Sequence, residues 1–299
     1  MKRFHHIVAY LSLNDSDATV LAWVSNITRL ADASRISLVH AWRPVDIPPR
    51  VMERYPWLLE PGIKVAEERI EKLRADHLSV DSTVAVDVVV REGNVLGELL
   101  QVLLDADADL VVCGRDGEDN YLSEKLARKA PCSLLTVPAN VSTEFKRVLA
   151  ALDYSSYSHE ALDVARAFAE SGKARLTIFH AFAVHWGQSR STIPREEFVK
   201  DLKLFHEERL RTLAASLDLH GMEPEIHLRE SALPPAAIAR AVNQENHDLV
   251  TIGCRGHDAI YATLLGSTAE AILRTCPVPV VAVKKKASTK SFLASLRDH

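Results

Sequence analysis

Asp248-Leu-Val-Thr-Ile-Gly253-Cys254-Arg255-Gly256, then nine residues, then Gly266-Ser267-Thr268, is an apolar strand running into a spaced-glycine loop. The helical run Ala269 to Arg274 follows, so the pattern is G-x2-G-x9-G-S between a strand and a helix. Glycines let backbone N–H groups approach a phosphate closely, and a helix N-terminus adds unpaired donors and partial positive charge. No Gly-Lys-Ser/Thr follows, so this is not a Walker A loop and no phosphate-gripping lysine is indicated.

The loop occurs twice, once complete and once damaged. Phe4–Leu11 is echoed by Lys146–Leu152 at an offset of about 141 residues, and Ser34–Trp42 by Ala174–Phe182 at about 140. Ala108–Gly114 is echoed by His247–Gly253 at about 139, after which the offset jumps to about 146, where Arg128–Pro131 matches Arg274–Pro277. The jump locates a deletion of about seven residues after the second glycine of the first copy. Two repeats of this length are two domains, because solenoid units are far shorter. The expected boundaries are 1–140 and 145–286, with a tail at 287–299 and a short linker near Asn140–Phe145.

Size and composition agree. The chain has 299 residues, 47% hydrophobic and 25% charged, which suits two soluble globular domains. A net charge of −4 leaves no basic footprint for nucleic acid. Lys284-Lys285-Lys286 reads as the solvated end of the chain. No apolar run is long enough for a membrane span, and the N-terminus enters a strand without a signal-peptide core. Cys113, Cys132, Cys254 and Cys276 show no paired spacing and read as buried structural thiols. A cytoplasmic location is expected.

In the second half, strands are expected at Arg147–Leu152, Arg175–Phe182, Glu225–Arg229, Leu249–Gly253 and Pro279–Val283. Helices are expected near Ser158–Glu170, Arg195–Leu219, Pro235–Gln244 and Ser267–Arg274. Apolar strands without polar alternation imply a sheet covered on both faces, and strand–helix alternation implies parallel pairing with right-handed crossovers. The fold class is therefore α/β, with two tandem doubly wound domains. Ligands in such sheets sit beyond the carboxyl ends of the strands, where the glycine loop lies.

These residues resemble the universal stress protein family in its tandem form, over essentially all of both halves. The G-x2-G-x9-G-S/T pattern is matched without departure by Gly253, Gly256, Gly266 and Ser267. Ala150–Ser155, His180-Ala181 and Pro277–Val281 support it. The resemblance implies five-stranded parallel sheets of order 3-2-1-4-5 with helices on both faces. Many members bind ATP, and members with broken loops do not. Carried onto this chain, Asp153 lies against the nucleoside and the backbone at Ala181 meets the adenine. Gly253, Gly256, Gly266, Ser267 and Thr268 cradle the phosphates, Arg255 and His257 add positive charge nearby, and magnesium or manganese accompanies the phosphates. Single-domain relatives pair through their fifth strands, which implies an intrachain pseudo-dimer through Ser133–Val137 and Pro279–Val283, with a homodimer of whole chains also open.

Each residue also has a plain structural reading. Asp153 suits an N-cap or Asx-turn, and His180 a hydrogen-bonded histidine closing a buried strand. His5, His6 and His257 suit solvent or loop positions. Ser267 suits a helix N-cap or its neighbour.

The first half breaks the pattern. Gly114 and Gly117 persist, but Asn120-Tyr121 replace the Gly-Ser pair and Ser12 stands in place of Asp153. Asp116, Glu118 and Asp119 crowd the loop, with Arg115 its only cation. Like charges about 4 Å apart cost about 1 kcal/mol in water and more in a drier crevice, whereas a helix N-terminus returns about 0.3–1 kcal/mol. The first half is therefore not expected to bind ATP. Its Val51–Leu59 run is expected to be an apolar, aromatic loop.

The leading function is a stress-response regulatory protein that binds ATP in its second domain and acts through unknown protein partners. The alternative is a scaffold or a binder of hydrophobic, lipid-like ligands with a remnant loop. No G-x-S-x-G, H-E-x-x-H or cysteine–histidine metal spacing points to an enzyme, and at most slow ATP hydrolysis is implied.

Overall fold

A computed structural model describes residues 3–43, 48–55, 62–115, 119–184, 194–254 and 265–285. Two compact units divide the chain, one up to Thr143 and the other Glu144–Lys285. The first unit runs β1 (His6–Tyr10), α1 (Asp17–Ala31), β2 (Arg35–Trp42), α2 (Pro49–Arg54), α3 (Gly62–His77) and β3 (Ala85–Glu92). It continues through α4 (Val95–Asp105), β4 (Leu110–Gly114), α5 (Asp119–Lys129) and β5 (Ser133–Val137). The second runs β6 (Arg147–Ala151), α6 (Ser156–Gly172), β7 (Arg175–Phe182), α7 (Arg195–Ala215) and β8 (Glu225–Glu230). It ends with α8 (Pro234–Gln244), β9 (Leu249–Gly253), α9 (Ser267–Thr275) and β10 (Val280–Val283).

Within the first unit the sheet order is β3-β2-β1-β4-β5 and every pairing is parallel. The second repeats it as β8-β7-β6-β9-β10, again parallel throughout. The doubly wound α/β class and its order 3-2-1-4-5 are thus realised in both units.

The reason lies in the central strands. β1 and β4 are buried at every position, and β6 at all but its first. A strand without a polar face needs cover on both sides, which parallel crossover helices provide. β3 and β8 lie at the sheet margin and are mostly half-buried or exposed. Trp23 of α1 and Phe168 of α6 are fully buried, one in each unit, on helices that pack on β1 and β6.

The repeated Asp-Leu-Val has a structural purpose. The Asp109 carboxylate accepts from the His5 and His6 N–H groups at 2.9 and 3.0 Å. Asp248 does the same for Lys146 and Arg147 at 2.7 and 2.9 Å. Each aspartate satisfies backbone donors where the unit's first strand begins, next to its fourth.

Two expectations differ. His6 belongs to neither solvent nor loop: it lies in β1, 7% exposed. Its Nδ1 donates to the Ala106 carbonyl at 2.8 Å and its Nε2 lies 2.9 Å from Ser37 Oγ. These partners sit about 30 and 100 residues away, so the sequence pattern does not display them. Part of the Val51–Leu59 run is helix, because Pro49 at the first helical position presets the backbone of α2. Residues 56–61 lie outside the described residues. All four cysteines are free and buried.

Candidate functional site

The site is built on the carboxyl ends of three adjacent strands in the second unit. Ala151 of β6 sits opposite Phe179 of β7 and Ile252 of β9. Asp153, Ala181 and Gly253 therefore emerge on the same edge of the sheet, where the strand order reverses. Ala181 pairs with Arg229 in the ladder, and Gly253 with Val283. Arg255, Gly256 and His257 lie outside the described residues.

The end of β9 and the start of α9 meet directly. The Gly266 N–H donates to the Cys254 carbonyl at 3.0 Å. Gly266, not Ser267, is the N-cap of α9, and its backbone is extended with φ −63° and ψ 138°. Any residue can adopt that conformation, so what glycine contributes here is the lack of a side chain. Among the described residues no side chain caps the helix. The first helical bond runs from the Glu270 N–H to the Gly266 carbonyl at 3.0 Å. Ser267 is exposed at the first helical position and Thr268 is half-buried. The first-turn N–H groups make the start of α9 suited to an anion, although Glu270 in the same turn works against it.

Asp153 is exposed, just past the end of β6. Its Oδ1 accepts from the Ser155 N–H at 3.0 Å and from Ser158 Oγ at 2.9 Å. Its own N–H donates to Ser158 Oγ at 3.0 Å. These bonds form an Asx-turn, and Tyr154 takes the left-handed φ of +62° that the turn requires. Among the described residues no donor reaches Oδ2.

The equivalent turn in the first unit keeps the backbone bond and exchanges the side chains. The Ser12 N–H donates to Asp17 Oδ1 at 3.0 Å, and Leu13 takes the left-handed φ of +59°. Serine and aspartate have exchanged ends of the same contact. Asp17 is 1% exposed, so the first unit buries the carboxylate that the second unit presents. Arg115, the one cation of the first loop, is also buried, and its N–H donates to the Val137 carbonyl at 2.9 Å. Asp116, Gly117, Glu118 and the side chains of Asp119 and Asn120 lie outside the described residues.

His180 lies two residues before the end of β7, as a structural residue. Its Nδ1 lies 2.7 Å from the Leu152 carbonyl, which can only accept, so Nδ1 carries the proton. His40 makes the same bond to Leu11 at 2.7 Å. Burial pushes the His180 pKa down to about 4, against the opposing pull of the Leu152 bond. Burial likewise lowers the pKa of His40.

Around His180 the fold assembles a group that the sequence reading missed. Tyr154 lies 4.4 Å from His180 and 5.8 Å from His206, ring centre to ring centre. Phe182 stacks on His206 at 4.9 Å. The Tyr154 hydroxyl donates to the His206 carbonyl at 3.1 Å, and burial pushes its pKa upward. Burial, then Arg209, lowers the pKa of His206. The Arg209 guanidinium lies 4.1 Å over the Tyr154 ring. The available signal was Phe205-His206-x2-Arg209, whose spacing puts the ring and the cation on one face of α7.

Among the described residues, no group of three or more His, Cys, Asp or Glu could hold a metal ion. No described helix is long and apolar enough to cross a membrane.

A universal stress protein of Thermus aquaticus is 31% identical over 140 residues, covering 47% of this chain and 99% of the relative. A functionally unknown protein from Pseudomonas aeruginosa shares the fold with a TM-score of 0.71 at 15% identity, over 100% of this chain and 99% of its own. A universal stress protein from Archaeoglobus fulgidus does so with a TM-score of 0.65 at 18% identity, over 95% and 100%. The Universal stress protein family model matches twice in succession, at residues 3–138 and 144–284. With both halves matched and both carrying the 3-2-1-4-5 sheet, the chain belongs to the universal stress protein family, as a tandem of two such domains.

Proposed function

We propose that this is a stress-response regulatory protein that binds one adenine nucleotide, in its second unit. The observation that carries the reading is the exchange of Asp153 and Ser158 for Ser12 and Asp17. In the second unit a carboxylate is exposed at the switch point, with one oxygen fixed by the turn and the other open to a ligand hydroxyl. Among the described residues no side chain caps the neighbouring start of α9, which fits a phosphate group. Asp153 takes the ribose hydroxyls, the Ala181 backbone faces the base, and Gly253, Arg255, Gly256, Gly266, Ser267 and Thr268 surround the phosphates. A divalent ion, magnesium or manganese, is held there chiefly by the phosphates themselves.

The first unit buries its carboxylate and does not bind ATP. The test is calorimetric titration of the whole chain with Mg-ATP. One site per chain is expected, weakened at least tenfold in Asp153→Ala. Two equivalent sites, or none, would overturn the reading.

An apolar ligand is the second reading, favoured by one observation on the first unit. Val51, Tyr55, Ile63 and Val65 of α2, its cap and α3 are 37–40% exposed. Mass spectrometry of molecules released from protein purified without nucleotide separates the two, by an acyl-chain compound or an adenine nucleotide.

A further inference from the structure

We infer that Arg209 positions the nucleoside end of the ligand in the second unit, its guanidinium stacked between Tyr154 and the base. This rests on the nucleotide reading above and assigns a residue outside the glycine loop. Three observations support it.

Arg209 is held but not consumed. It lies 4.1 Å over Tyr154 and 5.9 Å from the centre of Phe205, and it is exposed. Among the described residues it makes no ion pair and no hydrogen bond. Among the described residues its donors are therefore open, while the aromatic contact holds the guanidinium over the Tyr154 ring. A guanidinium is flat and weakly hydrated, and it stacks on aromatic faces in a way an ammonium cannot.

The same position is used differently in the other repeat. Arg69 of α3 corresponds to Arg209, and its Nη2 donates to the Leu13 carbonyl at 3.1 Å. Leu13 occupies the place of Tyr154. In the unit that buries its carboxylate, the arginine is tied to the turn. In the unit that exposes its carboxylate, the arginine rides on a ring and keeps its donors.

Position selects the base over the phosphates. α7 leaves β7 and packs on β8, whereas α9 follows β9. β6 lies between β7 and β9, and neighbouring strands are about 4.8 Å apart, so the two flanking strands are separated by about 10 Å. That distance is comparable to the length of a nucleoside. A ligand with its phosphates at α9 and its ribose on Asp153 directs its base toward β7 and α7. His180 responds to both Asp153 and Arg209, which places both charges within electrostatic reach of one ring. Tyr154 supplies the rigid backing, because its left-handed backbone and its bond to the His206 carbonyl fix the ring.

The test compares ATP with adenosine on the whole chain by calorimetry. Arg209→Ala should weaken both ligands by the same factor, about tenfold. Arg209→Lys should behave like Arg209→Ala, since lysine keeps the charge and loses the plane. Arg69→Ala should bind both as the unaltered protein does. Circular dichroism and melting temperature establish that the variants are folded, as expected for an exposed side chain. Unaltered affinity in Arg209→Ala would overturn the assignment alone. Loss confined to ATP, restored by lysine, would also overturn it, making Arg209 a phosphate contact. Failure of the unaltered protein to bind either ligand would overturn the nucleotide reading and this assignment with it.

Discussion

Asp153 and Asp17 sit at opposite ends of equivalent turns, and which end carries the carboxylate separates the two units chemically. The sequence displayed half of it, since Ser12 in place of Asp153 is visible in the repeat. The compensating Asp17 for Ser158 was not read, because it lies inside the amphipathic start of a helix, where an acid is unremarked. His180 was legible as a buried strand-end histidine but not as a neutral one. Its folded pKa of about 4 lies below its ordinary 6.5, so the unfolded chain binds more protons between those values. Stability is therefore full above pH 6.5 and falls as pH drops toward 4, by at most about 3 kcal/mol from this residue. His180→Gln keeps a donor for the Leu152 carbonyl and cannot titrate. Urea unfolding at pH 7, 5.5 and 4.5 should show a shallower pH dependence in the variant. Parallel curves would show that His180 contributes nothing to acid sensitivity.

Elements were more legible than their ends. β7 and β9 fall where the apolar runs place them, and α7 stops at Ala215 while its pattern runs on to Leu219. The difference arises at Ser216, whose N–H makes the last helical bonds before the backbone turns away. α9 begins at Ser267, where its pattern places it, directly after its glycine cap, and runs one residue past the expected Arg274. The aspartate before each fourth strand is an element-scale device: Asp248 ties β9 to the start of β6 through two backbone donors. Asp248→Ala strips the acceptor from two N–H groups, one of them part-buried. A loss of about 1–3 kcal/mol is expected, read as a lower urea midpoint at unchanged slope. Asp109→Ala should act the same way in the first unit, through His5 and His6. A loss under about 0.5 kcal/mol in both would show that water replaces the carboxylate there at no cost.

At the scale of the whole chain, the two units share a fold and differ at one edge of the sheet. Duplication was legible because strands, histidines and the Asp-Leu-Val motif recur at nearly constant spacing. The α7 group was not, because it depends on which helix face meets which strand end. The difference between units has two parts: a carboxylate turned inward at Asp17, and a loop in which Asn120-Tyr121 stand where Gly266-Ser267 stand in the second copy. The parts can be separated by exchanging the first alone. Ser12→Asp combined with Asp17→Ser gives the first turn the side chains of the second and moves the acid from a buried to a half-buried position. The two residues touch, so the exchange has to be made together for its effect to be interpretable. Because the loop and helix start stay short and acidic, the rewired chain should still bind one Mg-ATP, with the affinity of the unaltered protein. Ligand at about 100 times its dissociation constant should stabilise the second unit by about 2.7 kcal/mol and leave hydrogen exchange in the first unit unchanged. A stoichiometry of two after the exchange would mean that the place of the carboxylate in the turn alone decides where nucleotide binds, and that the length of the glycine loop does not.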